Sequence, residues 1–238
     1  MSPASSQVKN IVLVHGAFAD GSSWIKVIAE LIAMGYNPVA VQNPLTSLAE
    51  EVAFTKRIIA LQDGPVILVG HSWGGAVITQ AGDDPKVAAL VYIAAYAPDV
   101  GQSANDASTP YGWTEGQKQI QVDPQKFVAL SPQGMFEDVT ENLPLAERKL
   151  ALAVQGQSYG PMFDEKLTIA AWKKKPCWAL VSAHDRMLPP AMEATAAKTM
   201  GAKTTSLPTC HMVIMEAPRE VAAVIADAAK HALDAKSA

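Results

Sequence analysis

Short runs rich in β-branched residues alternate along this chain with longer amphipathic stretches, a pattern that restricts it to a parallel sheet covered by helices. Strands are expected at Ile11–His15, Asn37–Val41, Val66–Gly70, Val87–Ala94, Cys177–Ser182 and Thr204–Leu207. Helical spacing falls between or after them at Ser23–Met34, Leu48–Gln62, Gly74–Ala81, Pro190–Met200 and Ala217–Leu233, with Gly35 and Gly201 where a helix end calls for positive φ. The expected fold class is α/β: a doubly wound, six-stranded, mostly parallel sheet. With 238 residues, 49% hydrophobic and 18% charged, the chain has apolar surface enough for a sizeable core, and a disordered chain is excluded.

One interval breaks the alternation. Between the fourth and fifth strands, residues 98–175 far exceed the usual loop of about 2–6 residues in an α/β unit. They are read as a helical lid over one edge of the sheet, with residues 1–97 and 176–238 forming the core. Helix-like stretches within the lid are Pro124–Leu130, Met135–Val139, Pro144–Gln155 and Phe163–Trp172.

Charge and composition remove several function classes. Nineteen Lys and Arg stand against 23 Asp and Glu, a net charge of −4, and the one basic run is Lys173-Lys174-Lys175, so nucleic acid is not an expected partner. Apolar stretches such as Val87–Ala95 fall short of the ~20 residues of a membrane helix, so no membrane partner is expected. Residues Met1–Asn10 lack the apolar segment of a secretory signal, and Cys177 and Cys210 are too few for a disulfide framework, which together point to the cytoplasm. No metal is expected, since no His/Cys/Asp cluster has ligand spacing. No cofactor is expected either: Gly70–Gly75 has neither the P-loop lysine nor Rossmann spacing.

Chemistry enters at Gly70-His71-Ser72-Trp73-Gly74-Gly75, a G-x-S-x-G pattern that follows the apolar run Val66–Val69 and precedes a helical stretch. A serine at such a strand-to-helix turn is held with its hydroxyl exposed, beside the free N–H groups of a helix start. A hydroxyl is a weak nucleophile at neutral pH, so it needs a base within about 3 Å and a third group to orient that base. Of the five histidines, His211 lies in the loop after the last strand, at the sheet edge where the serine emerges. His15 and His71 sit inside glycine motifs, His184 directly precedes Asp185, and His231 reads as a solvated position on the last helix. Asp185, just after the fifth strand, is the favoured acid, and the order Ser72, Asp185, His211 is that of α/β-hydrolases. Asp99 is the rival. The turn His15-Gly16-Ala17-Phe18 offers backbone donors to an oxyanion, assigned to the N–H groups of Ala17 and Trp73, with Phe18 in reserve.

These motifs resemble the α/β-hydrolase superfamily from Ile11 to Leu233. Within it, the chain is similar to small bacterial esterases related to plant methyl-ester esterases and hydroxynitrile lyases. The resemblance rests on Val14–Ala17, Gly70–Ile78, Val91–Gly101, Asp185–Pro189 and His211–Met215. It implies a Ser72, Asp185, His211 triad and a helical cap. Hydroxynitrile lyases of this group carry Lys after the base where this chain has Met212, which favours the esterase branch. The expected function is a cofactor-independent serine carboxylesterase acting on small to medium esters. Phe18, Tyr111, Trp113, Tyr159, Met162 and Met212 are candidates for its apolar pocket. Acyl transfer, perhydrolysis or C–C hydrolysis on the same triad, or a ligand receptor, are the alternatives; the sequence gives no oligomeric state.

Overall fold

The computed structural model describes residues 7–233. The outer ends of the expected core, residues 1–6 and 234–238, lie outside the described residues. Six parallel strands form the main sheet: β1 (Asn10–Val14), β2 (Asn37–Ala40), β3 (Val66–Ser72), β4 (Val87–Ala95), then, after the insertion, β8 (Cys177–Ser182) and β9 (Lys203–Leu207). Their spatial order is β2-β1-β3-β4-β8-β9, and every pairing is parallel.

Alternate residues of each strand face opposite sides, so one run of β-branched residues supplies two cores. Ile11, Leu13, Ile67 and Val69 pack with Trp24, just ahead of α1 (Ile25–Ala33), with Val27 on the inner face of α1, and with Val221 and Ile225 of α9 (Pro218–His231), which follows the short α8 (Val213–Glu216). Val12, Val14, Leu68 and Tyr92 pack on the other side with α2 (Leu48–Ala60), α3 (Gly74–Ala81) and α7 (Pro190–Thr199). Gly35 and Gly201 do adopt positive φ, at 80° and 62°.

Strand β3 runs two residues beyond its expected end at Gly70, because His71 and Ser72 continue to pair with β4 across a register shift. Helix α1 begins later than its expected start at Ser23: a 3₁₀ turn, Gly21–Trp24, precedes it, capped by the Asp20 side chain.

The insertion between β4 and β8 is not purely helical. Strands β5 (Ile120–Val122), β6 (Phe127–Leu130) and β7 (Ser158–Tyr159) form a small antiparallel sheet. Around it lie α4 (Ala104–Ser108), α5 (Pro132–Gly134) with the π-turn Met135–Val139 after it, and α6 (Leu145–Ala153). The helix expected at Pro124–Leu130 is therefore a turn and a strand. The Asp123 carboxylate accepts from the N–H groups of Gln125 and Phe127, closing a tight turn that starts a hairpin. The helix expected at Phe163–Trp172 is reduced to 3₁₀ turns at Gly160–Asp164 and Ala171–Lys173. Between those turns, Leu167 exchanges backbone hydrogen bonds with Gly101 and Gln102 instead of with its own segment.

Candidate active site

Ser72 ends β3 with φ 55°, in the left-handed region, so its side chain turns out of the sheet just before α3 begins at Gly74. The turn is this sharp because α3 lies almost against its neighbours. A Cβ on Gly74 would stand 2.5 Å from the Val14 carbonyl oxygen, and one on Gly75 would stand 2.1 Å from that of Tyr96. Only hydrogen fits at those positions.

His211 and Asp185 converge on the serine from the loops after β9 and β8. His211 Nε2 lies 3.0 Å from Ser72 Oγ, and its Nδ1 lies 2.6 Å from Asp185 Oδ2. The second Asp185 oxygen accepts from the N–H groups of Met187 and Leu188, each at 2.7 Å. All three side chains are buried. The loop carrying His211 is tied down on both sides: Cys210 N–H donates to Glu216, and Met212 N–H donates to the Val139 carbonyl in the insertion. Asp99, the rival acid, is paired with Lys173 at the surface and has no contact with His211.

The remaining histidines separate by burial. The His15 ring is buried, accepts at Nε2 from Asn43 N–H and so donates from Nδ1 to the Gly16 carbonyl; burial holds it below the ordinary histidine range. His231 is exposed and bonds back to Asp227 on its own helix, as its solvated position suggested.

A cavity of about 590 Å³ opens over Ser72 and His211. Of the pocket candidates, Phe18, Trp113 and Met212 line it, together with Ile120, Leu130, Met135 and Phe163. Tyr111, Tyr159 and Met162 do not. Met162 is fully buried in the core beneath, Tyr159 packs on Phe127 in the small sheet, and Tyr111 faces outward. Among the described residues, no Lys or Arg lines the cavity, and Lys203 pairs with Asp227 at the far edge of the sheet. The N–H groups of Ala17 and Trp73 have no partner among the described residues. That of Phe18 donates to Ser158 Oγ, so the reserve donor is occupied.

Two residues at the site carry roles that the sequence reading did not assign. His71 is fully enclosed, and burial together with the nearby His211 ring pushes it down to about 3, so it is neutral; its Nε2–H donates to the His211 carbonyl at 3.0 Å. Glu51 accepts from the Trp73 indole N–H at 2.9 Å and from Asn43, bracing the residue after the serine from behind. A signal for Glu51 did exist: it shares the apolar stripe of α2 with Leu48 and Ile59, where a carboxylate is out of place. His71 had none, since the second position of a G-x-S-x-G turn accepts many residues.

Among the described residues, no group of three or more His, Cys, Asp or Glu side chains is placed to hold a metal ion, and no helix is long and apolar enough to cross a membrane.

Comparison with known proteins places this fold in a family. Methylesterase 7 of Arabidopsis thaliana is 37% identical over 108 residues, covering 39% of this chain and 42% of that protein. The carbendazim hydrolyzing esterase of Nocardioides sp. is 32% identical over 110 residues, covering 40% and 45%. The chain thus matches under half the length of these curated relatives. Among solved structures, polyneuridine aldehyde esterase superposes with a TM-score of 0.81 at 21% identity, over 93% of this chain and 99% of that one. A pyrethroid hydrolase from Sphingobium faniae JZ-2 superposes with a TM-score of 0.78 at 23% identity, over 95% and 99%. The model of the alpha/beta hydrolase family matches residues 11–224, nearly the whole of the described sheet with its helices, and the chain belongs to that family.

Proposed function

We propose that this protein is a serine carboxylesterase in which Ser72 is the nucleophile, His211 the general base and Asp185 the group that orients it. The observation that carries the reading is the continuous line from Ser72 Oγ through the His211 ring to Asp185, with steps of 3.0 and 2.6 Å. With Asp185 accepting from Nδ1, the lone pair of Nε2 faces the serine hydroxyl. Oγ attacks the ester carbonyl carbon as its proton passes to Nε2. The resulting oxyanion accepts from the free N–H groups of Ala17, in the turn after β1, and of Trp73, just ahead of α3. The tetrahedral species collapses, and the leaving alcohol takes the proton from His211. Water then repeats the sequence on the acyl-enzyme: it attacks the acyl carbon, gives its proton to Nε2, and Ser72 recovers it as the carboxylic acid departs. Relatives named as esterases support ester hydrolysis as the reaction class.

The substrate is a neutral small molecule with a substantial apolar part, held beneath residues 98–175 acting as a lid. The cavity that supports this is lined mainly by apolar side chains and, among the described residues, by no Lys or Arg.

The test is replacement of Ser72 by Ala, with an aryl acetate as substrate. Loss of kcat by several orders of magnitude is expected, together with a covalent organophosphonate adduct located by mass spectrometry on Ser72 of the parent protein. Asp185→Asn should lose most activity while Asp99→Asn keeps it. An active Ser72→Ala protein, or the reverse ranking of the two aspartates, overturns the assignment.

A further inference from the structure

Behind Asp185 lies a second carboxyl group that the proposed chemistry does not use. Glu193 sits in the first turn of α7, is 4% exposed, and points inward with Met192 and Ala197. Its Oε2 accepts from Ser182 N–H at 3.1 Å, whereas Oε1 is buried with no donor. The carboxyl is within hydrogen-bonding reach of the Asp185 side chain.

Two ionised carboxylates in contact, both shut away from water, repel strongly unless a cation or a proton lies between them. No cation does. Arg186, next in sequence to Asp185, turns away to Asp138 at 2.7 Å. Among the described residues, the other titratable groups near Asp185 are His211, bonded to its Oδ2, Tyr96, whose hydroxyl burial pushes up to about 12, and the half-buried Glu141. A shared proton is therefore needed, and the count of donors says which partner holds it. Asp185 receives three N–H groups, from Met187, Leu188 and His211, and Glu193 receives one. Donors stabilise the ionised form, so the charge belongs on Asp185.

We propose that Glu193 is a positioning residue, a neutral carboxylic acid whose Oε1–H donates a hydrogen bond to the Asp185 carboxylate and fixes its aim at His211 Nδ1. Burial, with the Asp185 charge beside it, raises the Glu193 carboxyl well above the usual carboxylate range, which agrees with a proton retained at neutral pH. Its catalytic consequence rests on the triad reading above; its protonation does not.

The experiment therefore has two arms. In difference infrared spectra between the parent protein and Glu193→Gln at neutral pH, the parent should show the carbonyl stretch of one buried protonated carboxylic acid that the variant lacks. Glu51 is common to both and cancels. In kinetics, Glu193→Gln replaces one neutral donor with another and keeps an acceptor for Ser182 N–H, so kcat should stay within about twofold and the acid limb of kcat/KM should not move. Glu193→Leu removes the donor. Its kcat should fall about tenfold with KM little changed, and its acid limb should move to higher pH, because the Asp185 charge, no longer shared, holds the imidazolium more tightly. Absence of the carbonyl band, or a fall of the acid limb in Glu193→Gln, would mean that Glu193 is ionised and overturn the proposal. An unmoved limb in a folded Glu193→Leu protein would also overturn the positioning role. Full activity in Ser72→Ala would instead remove the triad reading and leave the infrared result standing.

Discussion

Glu51 has one carboxyl oxygen on the Trp73 indole and the other buried without a donor, and burial raises the group from near 4.5 to about 7. The sign of its effect on stability follows. Below the unfolded value the carboxyl is protonated in both states and nothing is lost. As pH rises toward 7 the unfolded chain ionises first, and once the folded protein ionises as well, roughly 3 kcal/mol of stability has gone. Glu51→Gln keeps an acceptor for the indole and cannot ionise. Its stability relative to the parent should therefore increase between about pH 5 and pH 8, as read from urea midpoints across that range, and a constant difference would count against a titrating Glu51. At this scale the sequence was most informative about polar residues gathered at the sheet edge. Ser72, Asp185 and His211 were picked out by turn and chain order, and they are the three that come together. It was silent on the residues that hold those three, such as His71 and Glu193, because a side chain's partner across the fold leaves no local pattern.

At the scale of elements, the turn between β3 and α3 depends on how closely the helix approaches the sheet. A methyl at Gly75 would collide with the Tyr96 carbonyl and the Ala95 Cβ, neither of which is the end of a flexible side chain. Gly75→Ala should lower stability by about 1–3 kcal/mol or more and reduce kcat further than the stability loss explains, since α3 carries the Trp73 N–H with it. A denaturation midpoint equal to the parent's would mean that the helix can withdraw without cost. The core elements were legible because buried parallel strands and amphipathic helices have strong periods, and each expected core strand and helix is present with both ends within two residues of the expected ones. The insertion was less so. Its strands are two to four residues long, too short for a period to register, and side-chain turns such as that of Asp123 decide its path.

For the molecule as a whole, the sign of the field in the cavity bears on reaction type. Among the described residues, its ionisable lining consists of Asp20, Asp164, His71, His211 and Tyr96, and no lysine or arginine reaches it. Departure of cyanide from a cyanohydrin in a dry site would need a cation worth several kcal/mol, and Met212 stands where the related lyases place one. The expected result is ready hydrolysis of an aryl acetate with no cyanide released from mandelonitrile above background. Cyanide release at a comparable rate, abolished in Ser72→Ala, would show that the missing cation does not matter.

The bond from Met212 N–H to the Val139 carbonyl, with the Arg186 to Asp138 pair beside it, joins the insertion to the two loops that carry His211 and Asp185. Residues 98–175 are consequently a poor unit for recombination between relatives. A transplanted segment that filled the same space but offered no acceptor to Met212 and no carboxylate to Arg186 would yield a chimera with a new pocket and a displaced His211. Exchange of specificity among such proteins must proceed by changes within the segment that spare its π-turn, or by replacing the segment and both loops together.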